Sequence, residues 1–135
     1  NCRFVADFIG ESNVISGVVR SVEGEKLSVE TPDGMILACG EGFTVGEKIC
    51  VSGRSEYLNL SATPVEGFTL RGKVKDFIYI GTVIKTAVEL KDDQEIKQSR
   101  FELDGTLREG ADVYAWWEPH HGVAIHDASE AEVQS

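Results

Sequence analysis

Ile15-Ser16-Gly17-Val18-Val19-Arg20-Ser21-Val22 is written a second time as Leu70-Arg71-Gly72-Lys73-Val74-Lys75-Asp76-Phe77, and this echo decides the fold. A second echo follows each: Val45-Gly46-Glu47-Lys48-Ile49-Cys50-Val51 and Glu109-Gly110-Ala111-Asp112-Val113-Tyr114-Ala115. Each copy opens with an apolar-x-Gly-x-Val strand and closes with a glycine followed by another alternating strand. The leading glycines are 55 residues apart (17 to 72) and the trailing ones 64 apart (46 to 110), so the second copy has gained material in its middle. A period of this size marks a duplicated small unit. Strand-rich copies predict an all-β chain of two small intertwined barrels.

Working outward, Val14–Val22 and Lys26–Thr31 alternate apolar and polar residues, and Pro32-Asp33-Gly34 turns the chain into Met35–Cys39. Lys48–Ser52 follows the breaks at Glu41-Gly42 and Val45-Gly46. In the second copy the expected strands are Phe68–Ile80, Thr82–Lys91, Glu95–Phe101, Asp112–Glu118 and Gly122–His126, with Asp92-Asp93-Gln94 as a hairpin tip. Ser61–Gly67 carries Pro64 and no periodicity, and reads as the connection between copies. The division expected is 1–12 as a helical tail, 13–60 as the first barrel, 61–128 as the second and 129–135 as a frayed end. Phe4, Val5, Phe8 and Ile9 recur at helical spacing between Asn1 and Gly10, which reads as a short amphipathic helix. With no partner of its own length, this helix reads as the end of an upstream domain. The fourteen glycines suit the bulges and bends that closing a small sheet requires.

The 135 residues hold one ordinary domain or two very small ones sharing a core. No apolar run approaches the ~20 residues that span a bilayer, and Arg3 and Asp7 interrupt the only N-terminal apolar stretch. Three cysteines, Cys2, Cys39 and Cys50, form no metal-ligand spacing and are expected as reduced thiols in a cytoplasmic protein. A formal charge of −10 with no basic block argues against nucleic acid as a partner, because phosphate contacts need clustered Lys and Arg.

Chemistry is sparse. There is no Gly-x-x-x-x-Gly-Lys-Ser/Thr loop to cradle a nucleotide and no nucleophile elbow, so no catalytic residue, cofactor or metal is expected in this chain. His120, His121 and His126 read as exposed loop residues, since adjacent histidines on a strand diverge. Ser52-Gly53-Arg54-Ser55-Glu56 reads as a structural clamp at a strand end, with Arg54 and Glu56 as a fixed ion pair. Trp116 and Trp117 point to opposite faces if they share a strand. One is expected in the core and the other, beside Tyr114, at a two-fold interface. Glu89, Asp92, Asp93 and Glu95 are the exposed acids that could meet a cationic ligand.

Asn1 to Asn13, with its Phe4-Val5-Ala6 and Phe8-Ile9-Gly10, resembles the segment that enters the C-terminal regulatory domain of ATP-binding subunits of bacterial ABC importers. Ser52–Glu56 is similar to the Arg-Pro-Glu signature of those domains, with Ser55 in place of the usual Pro. Gly72–Thr82 through Leu107, Gly110, Val113 and Trp117 resembles the TOBE domain, and the resemblance covers essentially the whole chain. It implies tandem OB-like barrels that regulate and dimerise an importer ATPase, most like the spermidine/putrescine type, with ATP and Mg bound only upstream. It also implies permease subunits and a solute-binding protein as partners, and a cytoplasmic place at the inner face of the membrane. The alternative from the same resemblance is a free-standing small-ligand or oxyanion binder.

Overall fold

The computed structural model describes residues 12–91, 94–102 and 107–126. The strands among them are β1 (Ser12–Glu23), β2 (Lys26–Thr31), β3 (Gly34–Cys39), β4 (Lys48–Arg54), β5 (Asn59–Ser61), β6 (Leu70–Ile80), β7 (Val83–Glu89), β8 (Glu95–Arg100), β9 (Asp112–Trp116) and β10 (Val123–His126). Single 3-10 turns occupy Ser55–Tyr57 and Pro119–His121. The expected helix at residues 4–9 and the expected frayed end at 129–135 lie outside the described residues.

The duplication is physical as well as textual. In β1 the pairing with β2 shifts between Val19 and Ser21, and in β6 the pairing with β7 shifts at the matching place, between Val74 and Asp76. Val19 accepts a hydrogen bond from the Gly46 amide (2.7 Å) and donates to the Glu47 carbonyl (2.9 Å). Val74 does the same with Gly110 and Ala111 at identical distances, 2.7 and 2.9 Å. Both trailing glycines have positive φ, 92° at Gly46 and 82° at Gly110, which favours glycine in the turn that returns to the bulge. The bulge bends each long strand so that it can serve two neighbours in a strongly curved sheet.

Five strands close into a barrel in the order β1-β2-β3-β10-β4, and the others form a sheet in the order β5-β9-β6-β7-β8. The fifth strand of each unit is exchanged. β5, which follows the first repeat, pairs antiparallel with β9 in the second sheet. β10, which follows the second, pairs antiparallel with β4 and meets β3 at Val123↔Cys39 in the first barrel. Strand membership therefore crosses the expected boundary at 60/61: residues 59–60 pair in the second sheet and 123–126 in the first. Where a barrel would join β8 to β5, side chains span the gap instead. Arg100 donates to the carbonyls of Glu56 (2.9 Å) and Leu58 (2.8 Å) and to Asn59 Oδ1 (2.9 Å), while Gln98 Nε2 donates to the Leu58 carbonyl (3.0 Å).

One core runs through both sheets. Leu27, Val29, Ile36, Ala38, Ile49 and Val51 fill the barrel, and Leu70, Val74, Val88, Ile96 and Val113 continue it into the second sheet. Alternation along β2 buries Leu27, Val29 and Thr31 and turns the residues between them outward. Cys39 is a free thiol, whereas Cys50 is buried on β4 and disulfide-bonded, so the expectation of reduced thiols throughout does not hold.

Among the contacts that join the sheets, two stand out. The Asp33-Gly34 turn lies against the start of β6: Asp33 accepts the Arg71 amide (3.1 Å) on its carbonyl and the Lys91 amide (2.8 Å) on its side chain. Gly34, at φ 138°, sits where a Cβ would lie only 2.0 Å from the Thr69 carbonyl oxygen. The second joint is Asn13, whose side chain bonds β8 across the sheets.

Candidate regulatory and docking surface

The Ser52–Glu56 stretch forms the end of β4 and the first 3-10 turn. Arg54 Nε and Glu56 Oε1 form the expected ion pair, but both side chains are about half exposed (55% and 51%), so the strand end is not buried and the pair contributes little stability. The buried member is Ser55, whose hydroxyl shares a 2.8 Å hydrogen bond with the Ser99 hydroxyl of β8. A proline here would provide no such cross-link. Tyr57 then stacks on His121 with ring centroids 3.9 Å apart, and His121 in turn lies 4.1 Å from His120. A cavity of about 20 Å³ beneath them, bounded by Asn13, Ile96 and Trp117, has room for one water at most.

Of the two tryptophans, Trp117 is the core member. It is buried, donates Nε1 to the Leu37 carbonyl at 2.9 Å and meets Phe68 edge-on at 5.1 Å. Gly122 lies against it, with a Cβ there only 2.3 Å from Nε1. Trp116 and Tyr114 are half-buried rather than freely exposed. Among the described residues, Phe101, Tyr79 and Ile80 form a solvent-facing apolar group at the far end of the second sheet, with Val45 equally exposed elsewhere, and the sequence reading missed them. A strand end with apolar residues on both faces was the available signal.

Of the acids on the hairpin, Glu95 is already partnered. Glu89 and Glu95 face each other across β7 and β8. Lys75 Nζ lies 3.2 Å and Lys97 Nζ 3.8 Å from the Glu95 carboxylate. The Glu95 carboxylate holds the Lys75 ammonium above the ordinary lysine range. These lysines offset the field a cationic ligand would need. Asp92 and Asp93 lie outside the described residues. On β6 and β9, Arg71 (3.0 Å) and Lys73 (3.8 Å) flank Asp112, and the Arg71 hydrogen bond holds that carboxyl below its usual range. No group of three or more His, Cys, Asp or Glu among the described residues is arranged to hold a metal ion. No described helix is long and apolar enough to cross a membrane.

The family model described as the TOBE domain matches residues 51–125, more than half of the chain. The chain belongs to the TOBE domain family. Its match begins on β4 and ends in β10, so the TOBE segment takes in the exchanged strands of both sheets. Among curated relatives, the spermidine/putrescine import ATP-binding protein PotA of Roseobacter denitrificans is 31% identical over 83% of this chain and 32% of its own length. That of Pseudomonas fluorescens is 37% identical over 67% of the chain and 24% of its own length. The chain thus spans about a quarter to a third of the curated relatives it matches, and corresponds to their C-terminal TOBE domain. In fold it is similar to the cytoplasmic molybdate-binding protein ModG, with a TM-score of 0.66 over 85% of this chain and 96% of that one at 16% identity. Such a distant likeness speaks to architecture only.

Proposed function

We propose that this TOBE domain is the regulatory and dimerisation domain of an ABC importer ATP-binding subunit whose solute is a polyamine. The observation that carries the reading is the match of most of the chain to one part of relatives named for spermidine and putrescine import. In the whole protein, ATP and Mg would be bound and hydrolysed upstream. The permease subunits and a solute-binding protein would be its partners, at the cytoplasmic face of the membrane. This domain's contribution is to hold two copies together while the nucleotide-binding parts open and close. Its interface candidates are the Arg54–Glu56 turn, Trp116 with Tyr114, and the solvent-facing Tyr79, Ile80 and Phe101. The oxyanion-binding alternative has little support, because a chain of net charge −10 repels an anion.

A chimera tests the reading. This chain replaces the corresponding third of the Roseobacter relative, and spermidine uptake is followed in cells lacking their own importer. Retained uptake supports the proposal. A chimera that folds and hydrolyses ATP but no longer assembles or imports refutes it.

A further inference from the structure

The two 3-10 turns are copies of one another. Ser55–Tyr57 and Pro119–His121 lie 64 residues apart (55 to 119), the same interval that separates Gly46 from Gly110. Each follows an extended residue, Arg54 (φ −74°, ψ 144°) or Glu118 (φ −64°, ψ 133°). Each closes through the next amide, Leu58 donating to the Ser55 carbonyl (3.4 Å) and Gly122 to the Pro119 carbonyl (3.2 Å). The first turn packs on β8 and the second on β3. They are also the places where the chain changes sheets: the first leads from β4 to β5 and the second from β9 to β10. Their last residues meet, Tyr57 and His121 stacking at 3.9 Å with ring planes 10° apart.

We infer that the Tyr57–His121 stack is a latch on the strand exchange, which holds β5 and β10 each in the other repeat's sheet and releases them together. β5 begins two residues beyond Tyr57 and β10 two residues beyond His121. With three and four residues these strands have short ladders of their own, so local opening is within reach. The ring contact ties the two crossings to one another rather than to either sheet. Parting the rings therefore removes an anchor from both strands at once. Released, β5 uncovers the edge at β9, and β10 opens the barrel between β3 and β4. Tyr57 is 43% exposed, which puts the latch within a partner's touch. A contact made at that one point would then alter order in both sheets, through β9 on one side and β4 on the other. The inference holds whichever solute the parent carries.

Native-state amide hydrogen exchange of the 135-residue chain, read by NMR, tests the latch. Tyr57→Ala and His121→Ala are each expected to speed exchange in β5 and β10 alike, by about threefold or more, while the inner strands β2 and β7 keep their rates. Combining the two substitutions should add little to either alone, because both break the same contact. Tyr57→Phe keeps the stacked ring and should keep the wild-type rates. If Tyr57→Ala does not fold, Tyr57→Leu replaces it. Acceleration confined to the strand beside the substituted ring, equal acceleration of β2 and β7, or fully additive effects would each overturn the proposal. Unchanged rates, or a Tyr57→Phe variant that exchanges as fast as Tyr57→Ala, would overturn it too.

Discussion

The Asn13 side chain treats Lys97 as a neighbouring strand would: its Nδ2 donates to the Lys97 carbonyl at 2.8 Å and its Oδ1 accepts the Lys97 amide at 2.9 Å. Lys97 lies on β8, the strand at the edge of the second sheet. An unpaired edge invites another chain to pair with it. One amide side chain from the barrel therefore satisfies part of that edge and joins the sheets. Asn13→Ala leaves both main-chain groups without this partner and is expected to cost about 1–3 kcal/mol in urea denaturation. Asn13→Asp should cost at least as much, since its carboxylate confronts the Lys97 carbonyl. An unchanged midpoint for Asn13→Ala would remove this joint from the account.

Gly17 and Gly72 make matched predictions. A Cβ at Gly17 would lie 2.6 Å from Val29 Cγ1 and 2.7 Å from the Glu30 carbonyl oxygen. At Gly72 the corresponding distances are 2.6 Å to Val88 Cγ1 and 2.8 Å to the Glu89 carbonyl oxygen. Each Gly→Ala substitution should destabilise by about 1–3 kcal/mol, because the neighbouring backbone has to move. The two losses should be alike. A neutral result at either position would mean that the repeats differ where they look the same.

Trp117→Ala is expected to cost about 3–5 kcal/mol through lost burial and an unpaired Leu37 carbonyl. Trp116→Ala, at a half-buried position, should cost clearly less. Thermal or urea melts of the two variants decide the matter, and equal losses would reverse the assignment of the core tryptophan.

The duplicated glycines and their strands were legible because alternation and punctuation survive in sequence. Lys26–Thr31 was bounded to the residue, and the other long strands to within two residues at each end. β5 was missed because three residues cannot display an alternating period, and Leu58 and Leu60 owe their places to contacts far along the chain. The acidic hairpin misled for a related reason. Glu95 reads as a free acid until β6 brings Lys75 beside it, since a lysine 20 positions away leaves no local mark. Lys97, two along on the same strand face, was there to be read.

Two carboxyls should give stability opposite pH slopes. Hydrogen bonding to the Glu41 side chain, then that group's charge, holds Glu25 above its usual range. Its contribution is complete below the ordinary carboxylate pKa of about 4 and is lost as pH rises through the raised value. Asp112 is lowered by Arg71, so its contribution is present above its ordinary pKa and lost as pH falls through the depressed value. Glu25→Gln should flatten the decline above about pH 4, and Asp112→Asn the loss below it. Melting temperatures of both variants between pH 2 and 7 provide the check, and unchanged slopes would discount both pairs.

The exchange of β5 and β10 makes the two repeats hostage to one another. Neither can be excised with its sheet intact, because each leaves its last strand in the other's keeping. A protease cut anywhere in the 62–69 connection would sever the backbone and still leave two fragments clasped like hooked fingers. A tug on the C-terminal end would be felt first by the barrel that begins the chain, through the β10–β4 ladder. Whatever pulls on one half of this domain therefore pulls on both.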